Sequence, residues 1–277
     1  MKVIVSHDVD HLTFWEHSKD LIIPKFFIRN AIECLHGHIQ FSEALKRSGV
    51  IFNNRWHRLP ELMAFDIEKK LPSTFFFGVN NGCNLAYSLR NAETWIHYAI
   101  EKGFDVGVHG IGYQNFEEIQ REFSTFKSIS GKSQFGIRMH YLRQNDDTIN
   151  HLSRTGYLFD STIRATPANI LPYKAGEMWE LPLHIMDGDI IECGKRYGNK
   201  SLKEAQALTS ALIDNIFEKQ TEYLTILFHD RYFDDSFSIW RDWYIWVVEY
   251  LKSSEFEFIG YPQAVKELNN RNSTLSR

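Results

Sequence analysis

The sequence predicts an α/β fold in which a parallel sheet or barrel is surrounded by helices. Short apolar runs alternate with longer amphipathic segments along most of the chain, which is typical of repeated strand–helix units. Ionisable side chains directly follow several of the apolar runs, as expected where parallel strands end at one edge. Neither an internal repeat nor a linker divides the 277 residues, so we expect one domain over residues 1–277.

The elements follow from local patterns. Apolar, β-branched and aromatic runs predict strands at Lys2–Ser6, Ser73–Val79, Phe104–His109, Gln134–Arg138, Trp179–Leu183, Tyr223–His229 and Glu257–Ile259. Helical spacing of apolar residues and glycine stops predict helices at Leu59–Lys70, Asn91–Lys102, Gln114–Ser128, Asp146–Arg154, Ser201–Glu218, Trp240–Lys252 and Pro262–Asn270. Residues 24–58 interrupt the alternation and predict a helical insertion.

Composition limits the compartment and the partners. The net charge of −4 gives no general attraction to nucleic acid or to anionic membranes. Three cysteines without a CxxC pair favour a reducing compartment. No apolar run approaches the roughly 18 residues of a membrane span, and no signal-peptide pattern opens the chain. We therefore expect a cytoplasmic protein without nucleic-acid partners, whose oligomeric state the sequence does not predict.

The first predicted strand runs into four ionisable side chains. In "VSHDVDH", Asp8 and Asp10 are one residue apart and are flanked by His7 and His11. Two carboxylates at the end of a buried strand repel each other unless a cation lies between them. The motif therefore predicts a metal ion or a reaction site at this strand end.

Three other predicted strands also end in chemically active side chains. His109 ends one strand, Arg138 with nearby His140 ends another, and His229 ends a third. Aspartate and histidine ligands without thiolate suit Zn²⁺ or a similar divalent ion. The set is typical of metal-assisted hydrolysis, in which a carboxylate is the base and a histidine is the acid.

Three further residues are candidates for substrate binding. Tyr113 follows the His109 segment closely. Glu180 is predicted inside a strand, where a glutamate needs a partner, and this favours a position facing the site. Asp187 either orients a histidine or is a turn residue before Gly188.

These motifs, in this order, resemble the NodB-homology polysaccharide deacetylases, carbohydrate esterase family four. "SHDVDH" is similar to their first motif, which implies that Asp8 is the base and Asp10 a metal ligand. "VGVHGIGYQNF" resembles the second motif and implies that His109 is a ligand. "GIRMHYLR" resembles the third and implies that Arg138 orients the base. "LTILFHD" resembles the last and implies that His229 is the acid.

The resemblance covers roughly residues 1–270 without the insertion, and it implies a distorted (β/α) barrel that removes N-acetyl groups from amino sugars. One position departs from the family, whose second motif has two histidines four residues apart. Here Tyr113 occupies the second position. Our prediction for the missing ligand is His140. The alternatives are Asn115, Tyr113, His11, His184 and a site that holds no metal.

The sequence thus predicts a hydrolase that removes an N-acyl group from an amino sugar in polysaccharide or surface-glycan biosynthesis, assisted by a divalent metal such as Zn²⁺. A cytoplasmic location favours a nucleotide-linked or lipid-linked sugar, whose diphosphate would meet basic residues between 46 and 58. Two alternatives stay open: a metal-free amidohydrolase on the same barrel, and a catalytically degenerate carbohydrate-binding protein.

Overall fold

In the computed structural model, which describes residues 1–194 and 198–275, a curled and largely parallel sheet forms the centre of the fold. Its strands are β1 (Lys2–Val9), β2 (Thr74–Phe77), β3 (Asp105–Gly110), β4 (Ile137–Met139), β5 (Phe159–Asp160), β6 (Tyr173–Ala175), β7 (Met178–Glu180), β8 (Ile185–Met186), β9 (Tyr223–Leu227) and β10 (Glu257–Phe258). They pair in the order β6-β7-β5-β4-β3-β2-β1-β9-β8, and β10 lies beside the start of β1. Only β6 and β7 pair antiparallel among these strands. The predicted α/β class and distorted barrel are confirmed.

The helices connect successive strands and cover the sheet. They are α1 (Ile22–Leu35), α2 (Phe41–Ser48), α3 (Val50–Asn53), α4 (Leu59–Glu68), α5 (Leu89–Glu101), α6 (Phe116–Ser130), α7 (Thr148–Thr155), α8 (Asp187–Ile191), α9 (Leu202–Glu218), α10 (Ser238–Ser253) and α11 (Tyr261–Leu275). Helices α1 to α3 lie within or overlap the segment predicted as a helical insertion. In the two described ranges, no helix combines the length and the apolar character that a membrane crossing requires.

Strand β1 is central because β9 pairs with one of its edges, while β10 and β2 share the other. Adjacent side chains on a strand point to opposite faces, so His7 and Asp8 separate. His7 is fully buried in the core, where its ring bonds the Asp66 carboxylate at 2.9 Å and the Phe228 carbonyl at 2.9 Å. Asp8 and Asp10 share the other face. The histidine before the aspartates is therefore a core residue.

A close approach between β4 and β5 positions the start of α11. A Cβ atom on Gly136 would lie 2.2 Å from the Phe159 ring, so only glycine leaves room for this ring. Phe159 stacks on Tyr261 with ring centroids 4.4 Å apart. This packing holds the Tyr261 hydroxyl beneath the carboxyl edge of the sheet.

The structure differs most from the predicted elements between residues 156 and 192. Strands β5, β6 and β8 have two or three residues each, too few to produce a recognisable alternation. The predicted strand Trp179–Leu183 ends at Glu180 in β7. Its last part continues as irregular backbone, and Leu183 N–H donates to the Ile163 carbonyl at 2.7 Å.

Candidate active site

A cavity of about 380 Å³ lies at the carboxyl edge of the sheet. Strands β1, β3, β4 and β9 end at this edge, as parallel pairing requires. Six of the nine predicted site residues line the cavity: Asp8, Asp10, His109, His140, Asp187 and His229. The structure therefore brings together side chains that are more than 200 residues apart in the sequence.

Asp10, His109 and His140 form a compact cluster of candidate metal ligands. Asp10 Oδ1 lies 3.2 Å from His109 Nε2 and 3.2 Å from His140 Nδ1, and these two nitrogens are 3.0 Å apart. The far nitrogen of each ring contacts a backbone carbonyl: His109 Nδ1 donates to Arg138 O, and His140 Nε2 donates to Cys83 O, both at 3.0 Å. Because a carbonyl oxygen only accepts, these contacts assign the protons to the far nitrogens.

This assignment leaves two imidazole lone pairs and a carboxylate oxygen facing one another. Asp10 Oδ1 is buried and has no hydrogen-bond partner among the described residues. Such an arrangement is repulsive unless a cation lies within it. The donor set, one carboxylate and two imidazoles, fits Zn²⁺ or a similar divalent ion.

Asp8 is held by an ion pair behind the cluster. Its carboxylate is 2% exposed, and Oδ1 accepts from Arg138 Nη1 at 2.9 Å. The other oxygen, Oδ2, lies 3.8 Å from His109 Nδ1. Since Oδ1 is committed to Arg138, Oδ2 is the oxygen that can take a proton from a group in the cavity.

Arg138 is fully buried, yet all five of its N–H donors have acceptors. Nε donates to Ser161 O, Nη1 to Ser6 Oγ and Asp8 Oδ1, and Nη2 to Ser161 Oγ and Tyr261 OH, over 2.9–3.1 Å. Burial alone would lower the pKa of Arg138, but the nearby Asp8 carboxylate outweighs this effect and raises it. Complete pairing offsets the large cost of burying a guanidinium.

His229 forms the second charged pair of the cavity. Asp187, the first residue of α8, accepts from His229 Nδ1 at 2.9 Å and from the His229 backbone N–H at 2.8 Å. Burial alone would lower the pKa of His229, but the Asp187 carboxylate raises it to about 10. His229 Nε2 points to the ligand cluster and lies 3.8 Å from Asp10 Oδ2. A histidine held in this way carries a proton that it can donate into the cavity.

Two residues predicted to bind substrate do not line the cavity. The Tyr113 hydroxyl accepts from Gln114 at 2.7 Å, and the ring lies under the Arg143 guanidinium. Glu180 is fully buried in β7, where its Oε1 accepts from the Ile163 backbone N–H at 3.1 Å and where Asp160 is its register partner on β5. Burial and the Asp160 carboxylate raise the pKa of Glu180 well above its usual value, so the two carboxyl groups together retain a proton. Sequence reasoning required a partner for a buried glutamate, and the structure provides a second carboxyl group instead of a substrate.

The other candidates for the third ligand are engaged elsewhere. Asn115 caps α6 and accepts from the Glu117 backbone N–H. His184 bonds the Thr225 hydroxyl and the Ile170 carbonyl. His11, also a candidate ligand, lines the cavity, but its Nδ1 bonds Nε2 of the neighbouring His17 ring at 3.0 Å. Of the residues that the structure describes, only His140 joins Asp10 and His109 in a cluster that could hold a metal.

Sequence reasoning did not identify the support of His140. Tyr141 packs against the His140 ring, with centroids 4.0 Å apart, and its hydroxyl accepts from Asn84 at 3.1 Å. Tyr141 and Leu142 both have positive φ angles, 57° and 52°, a conformation that L-residues with side chains seldom adopt. This backbone turns the chain immediately after His140, at the rim of the cavity. Nothing in the letters "HYL" indicates such a turn.

Comparison with solved structures finds proteins of the same fold. A candidate polysaccharide deacetylase from Mycobacterium smegmatis superposes with a TM-score of 0.66 at 16% identity, over 98% of this chain and 91% of that one. The Puue allantoinase matches with a TM-score of 0.65 at 13% identity, over 96% and 88% of the chains. A candidate polysaccharide deacetylase from Pseudomonas aeruginosa PAO1 gives 0.62 at 13%, over 96% and 89%. The predicted resemblance to polysaccharide deacetylases is confirmed at the level of the fold.

No protein-family profile matches the chain, and no curated protein matches it.

The ligand cluster predicts a specific pattern of metal binding. We expect the wild type to bind about one Zn²⁺ per chain. His140→Ala removes a ligand, so the affinity of this variant for Zn²⁺ should fall sharply. The loss should exceed the roughly 10–100-fold that is typical when only a hydrogen-bond partner of a metal ligand is removed. Equilibrium dialysis with elemental analysis measures this, and Tyr113→Phe is the control because Tyr113 lies outside the cluster. Wild-type affinity in His140→Ala, or lost affinity in Tyr113→Phe, would contradict the assignment.

The buried Asp160–Glu180 pair predicts a pH effect on stability. Burial and the Asp160 carboxylate raise the pKa of Glu180 well above its usual value. The folded state therefore binds this proton more tightly than the unfolded state, and the free energy of unfolding falls as pH rises above about 4.5. Glu180→Gln keeps a donor toward Asp160 but cannot ionise. Its stability relative to wild type should therefore increase with pH.

Urea unfolding between pH 5 and 9 measures this difference. Glu177→Gln is the matched control, because the Glu177 side chain is 96% exposed, and it should track wild type throughout. A difference between Glu180→Gln and wild type that does not change with pH would contradict the shared-proton assignment.

Proposed function

We propose that the protein is a hydrolase that removes an N-acyl group, such as acetyl, from an amino sugar in polysaccharide or surface-glycan biosynthesis. One observation carries the proposal: two oriented side chains share a cavity with a cluster suited to a divalent metal. Asp8 is held by Arg138, and His229 is held by Asp187. Both line the cavity that contains the ligand cluster of Asp10, His109 and His140. Amide hydrolysis needs these three parts, namely a base, an acid and a centre that polarises the carbonyl. The fold shared with candidate polysaccharide deacetylases supports the amino-sugar substrate.

Asp10, His109 and His140 would hold the metal, for which we propose Zn²⁺. When bound, a divalent ion polarises the acyl carbonyl and lowers the pKa of water. Asp8 Oδ2 accepts the proton of the attacking water, since Oδ1 is fixed by Arg138. Arg138 acts as a positioning residue: its buried guanidinium holds the carboxylate in one orientation, without entropy loss at the moment of reaction.

His229 donates the proton that the departing amine needs. An amine anion is a poor leaving group, so cleavage of the C–N bond requires proton transfer to nitrogen. Asp187 holds Nδ1 of the ring and thereby directs Nε2 into the cavity. The same carboxylate stabilises the protonated ring. Asp187 is therefore a positioning residue for the acid, which is one of the two roles that the sequence leaves open for it.

The sugar that we propose is carried on a nucleotide or a lipid, and the protein acts in the cytoplasm. The support is the set of three free cysteines, Cys34, Cys83 and Cys193, which fits a reducing compartment. Secreted deacetylases act on finished wall polymers, whereas an enzyme in this compartment meets the activated precursor.

The two alternatives are less well supported by the site. A metal-free amidohydrolase leaves the buried Asp10 Oδ1 without a partner among the described residues. A degenerate binding protein has no use for two separate charged pairs that orient a base and an acid. Both pairs are intact.

Substitution of the base and of the acid's partner tests the proposal. We expect Asp8→Asn to lower kcat for acetate release from N-acetylated amino sugars by about 10²–10⁴-fold, because the amide cannot take a proton. Asp187→Asn should lower kcat by a similar factor, because the His229 ring loses the carboxylate that orients and charges it. Substrate binding, measured by calorimetry, should be retained in both variants.

The matched control is Asp214→Asn on the exposed face of α9, which should behave as wild type. Near-wild-type kcat in Asp8→Asn would remove Asp8 from the role of base. Sugar binding without turnover in the wild type would instead favour the carbohydrate-binding alternative.

A further inference from the structure

A second cavity of about 340 Å³ adjoins the catalytic one. The two cavities share His11, Arg29 and Tyr232 in their walls. The remaining wall comes from α1 and α2 and from the segment that follows β9. A ligand that places a reacting group in the first cavity can therefore extend directly into the second.

The second cavity is strongly cationic. Its wall contains four basic side chains: Lys25, Arg29, Arg47 and Arg231. Among the described residues that line it, none is a carboxylate. Four like charges around one cavity repel one another, and this cost is recovered when an anion binds.

Carboxylates outside the wall compensate two of these cations. Glu33 lies between Arg29 and Arg47 and accepts from both, at 2.7 Å and 2.5 Å. Glu192 also accepts from Arg29, and Glu43 from Arg47. These ion pairs fix the two guanidinium groups in place. Neither Lys25 nor Arg231 makes an ion pair within the described ranges.

Arg231 is the most unusual of the four. Its guanidinium lies between the aromatic rings of Phe26, Trp56 and Phe237, 4.6–5.4 Å from their centroids. The Nε atom is buried and has no hydrogen-bond partner in the part of the chain that the structure describes. The rings orient the cation but accept none of its in-plane N–H groups.

An unpaired cation in this position is costly. Burial, together with the nearby charges of Arg29 and Arg47, lowers the pKa of Arg231 to about 10. The group is still charged at neutral pH, and its buried Nε has lost water without gaining an acceptor. Guanidinium groups in this state are typical of sites that receive a phosphate or a carboxylate.

We propose that this second cavity binds a phosphoryl group of the substrate, with Arg231 and Lys25 as its principal contacts. A phosphoryl group offers several acceptor oxygens and more than one negative charge, which matches two unpaired cations better than a single carboxylate does. The inference rests on the proposed function and deepens it: the substrate class is an N-acyl amino sugar phosphate, and its acyl amide lies in the catalytic cavity.

Binding of inorganic phosphate tests the cavity without any turnover. Phosphorus NMR titration of the zinc-loaded protein should show binding that weakens by about tenfold or more in Arg231→Gln and in Lys25→Gln. Lys25 is exposed, so its variant stays informative if Arg231→Gln misfolds. Lys203→Gln, on the exposed surface of α9, should bind as wild type. His140→Ala should retain phosphate binding, which separates this cavity from the metal cluster.

Turnover then identifies the source of the phosphoryl group. Wild type should release acetate from N-acetylglucosamine 1-phosphate with a kcat/KM at least about tenfold above that for N-acetylglucosamine, and Lys25→Gln should reduce this preference. A uridine diphosphate-linked and a polyprenyl diphosphate-linked N-acetylglucosamine distinguish a nucleotide from a lipid source. A preference for either one supports the proposal.

The inference and the proposed function fail in different ways. Phosphate binding that depends on Arg231 or Lys25, without acetate release from any of these sugars, would support the cavity and contradict the hydrolase. Acetate release without preference for the phosphorylated sugar, together with phosphate binding unaffected by both substitutions, would overturn the inference and leave the hydrolase intact.

Discussion

The site depends on one buried interaction, the ion pair between Arg138 and Asp8. A fully buried guanidinium is stable only when each donor has an acceptor, and here β1, the residue after β5 and the start of α11 provide those acceptors. The backbone carbonyl of the same arginine holds the His109 ring. Arg138 thus fixes the base through its side chain and a candidate metal ligand through its main chain. Removing its side chain would leave the Asp8 charge buried and unpaired, at a typical cost of about 3–5 kcal/mol.

The second constraint is the use of backbone carbonyls to assign histidine protons. His109 and His140 each donate one N–H to a carbonyl, so in the neutral rings the other nitrogens are free to accept or to bind a metal. The arrangement is set by the strand ends and by the turn at Tyr141, both of which are parts of the scaffold. His229 differs because its partner is the Asp187 carboxylate, which favours a charged ring. The partner of each ring therefore determines which of its nitrogens carries a proton.

Much of this site could be predicted from the sequence, because parallel strands place their following residues at one edge. Asp8, Asp10, His109 and His229 follow apolar runs that are recognisable by composition alone. His140 is predicted only from its place close after Arg138, since the left-handed backbone that follows it has no signature in the sequence. A buried glutamate needs a partner, so the sequence predicts one for Glu180, but it does not indicate that this partner is Asp160. The cationic cavity was equally hidden, because Lys25 and Arg231 are brought together only by the packing of the helices after β1.

The most direct test of a metal-dependent deacetylase is acetate release from N-acetylated sugar phosphates before and after metal removal. Wild type treated with a chelator should lose activity and regain it when about one equivalent of Zn²⁺ per chain is restored. His109→Ala, which lacks a ligand, should not regain activity under the same conditions. Acetate release that persists after complete metal removal, or that returns equally in His109→Ala, would contradict the account.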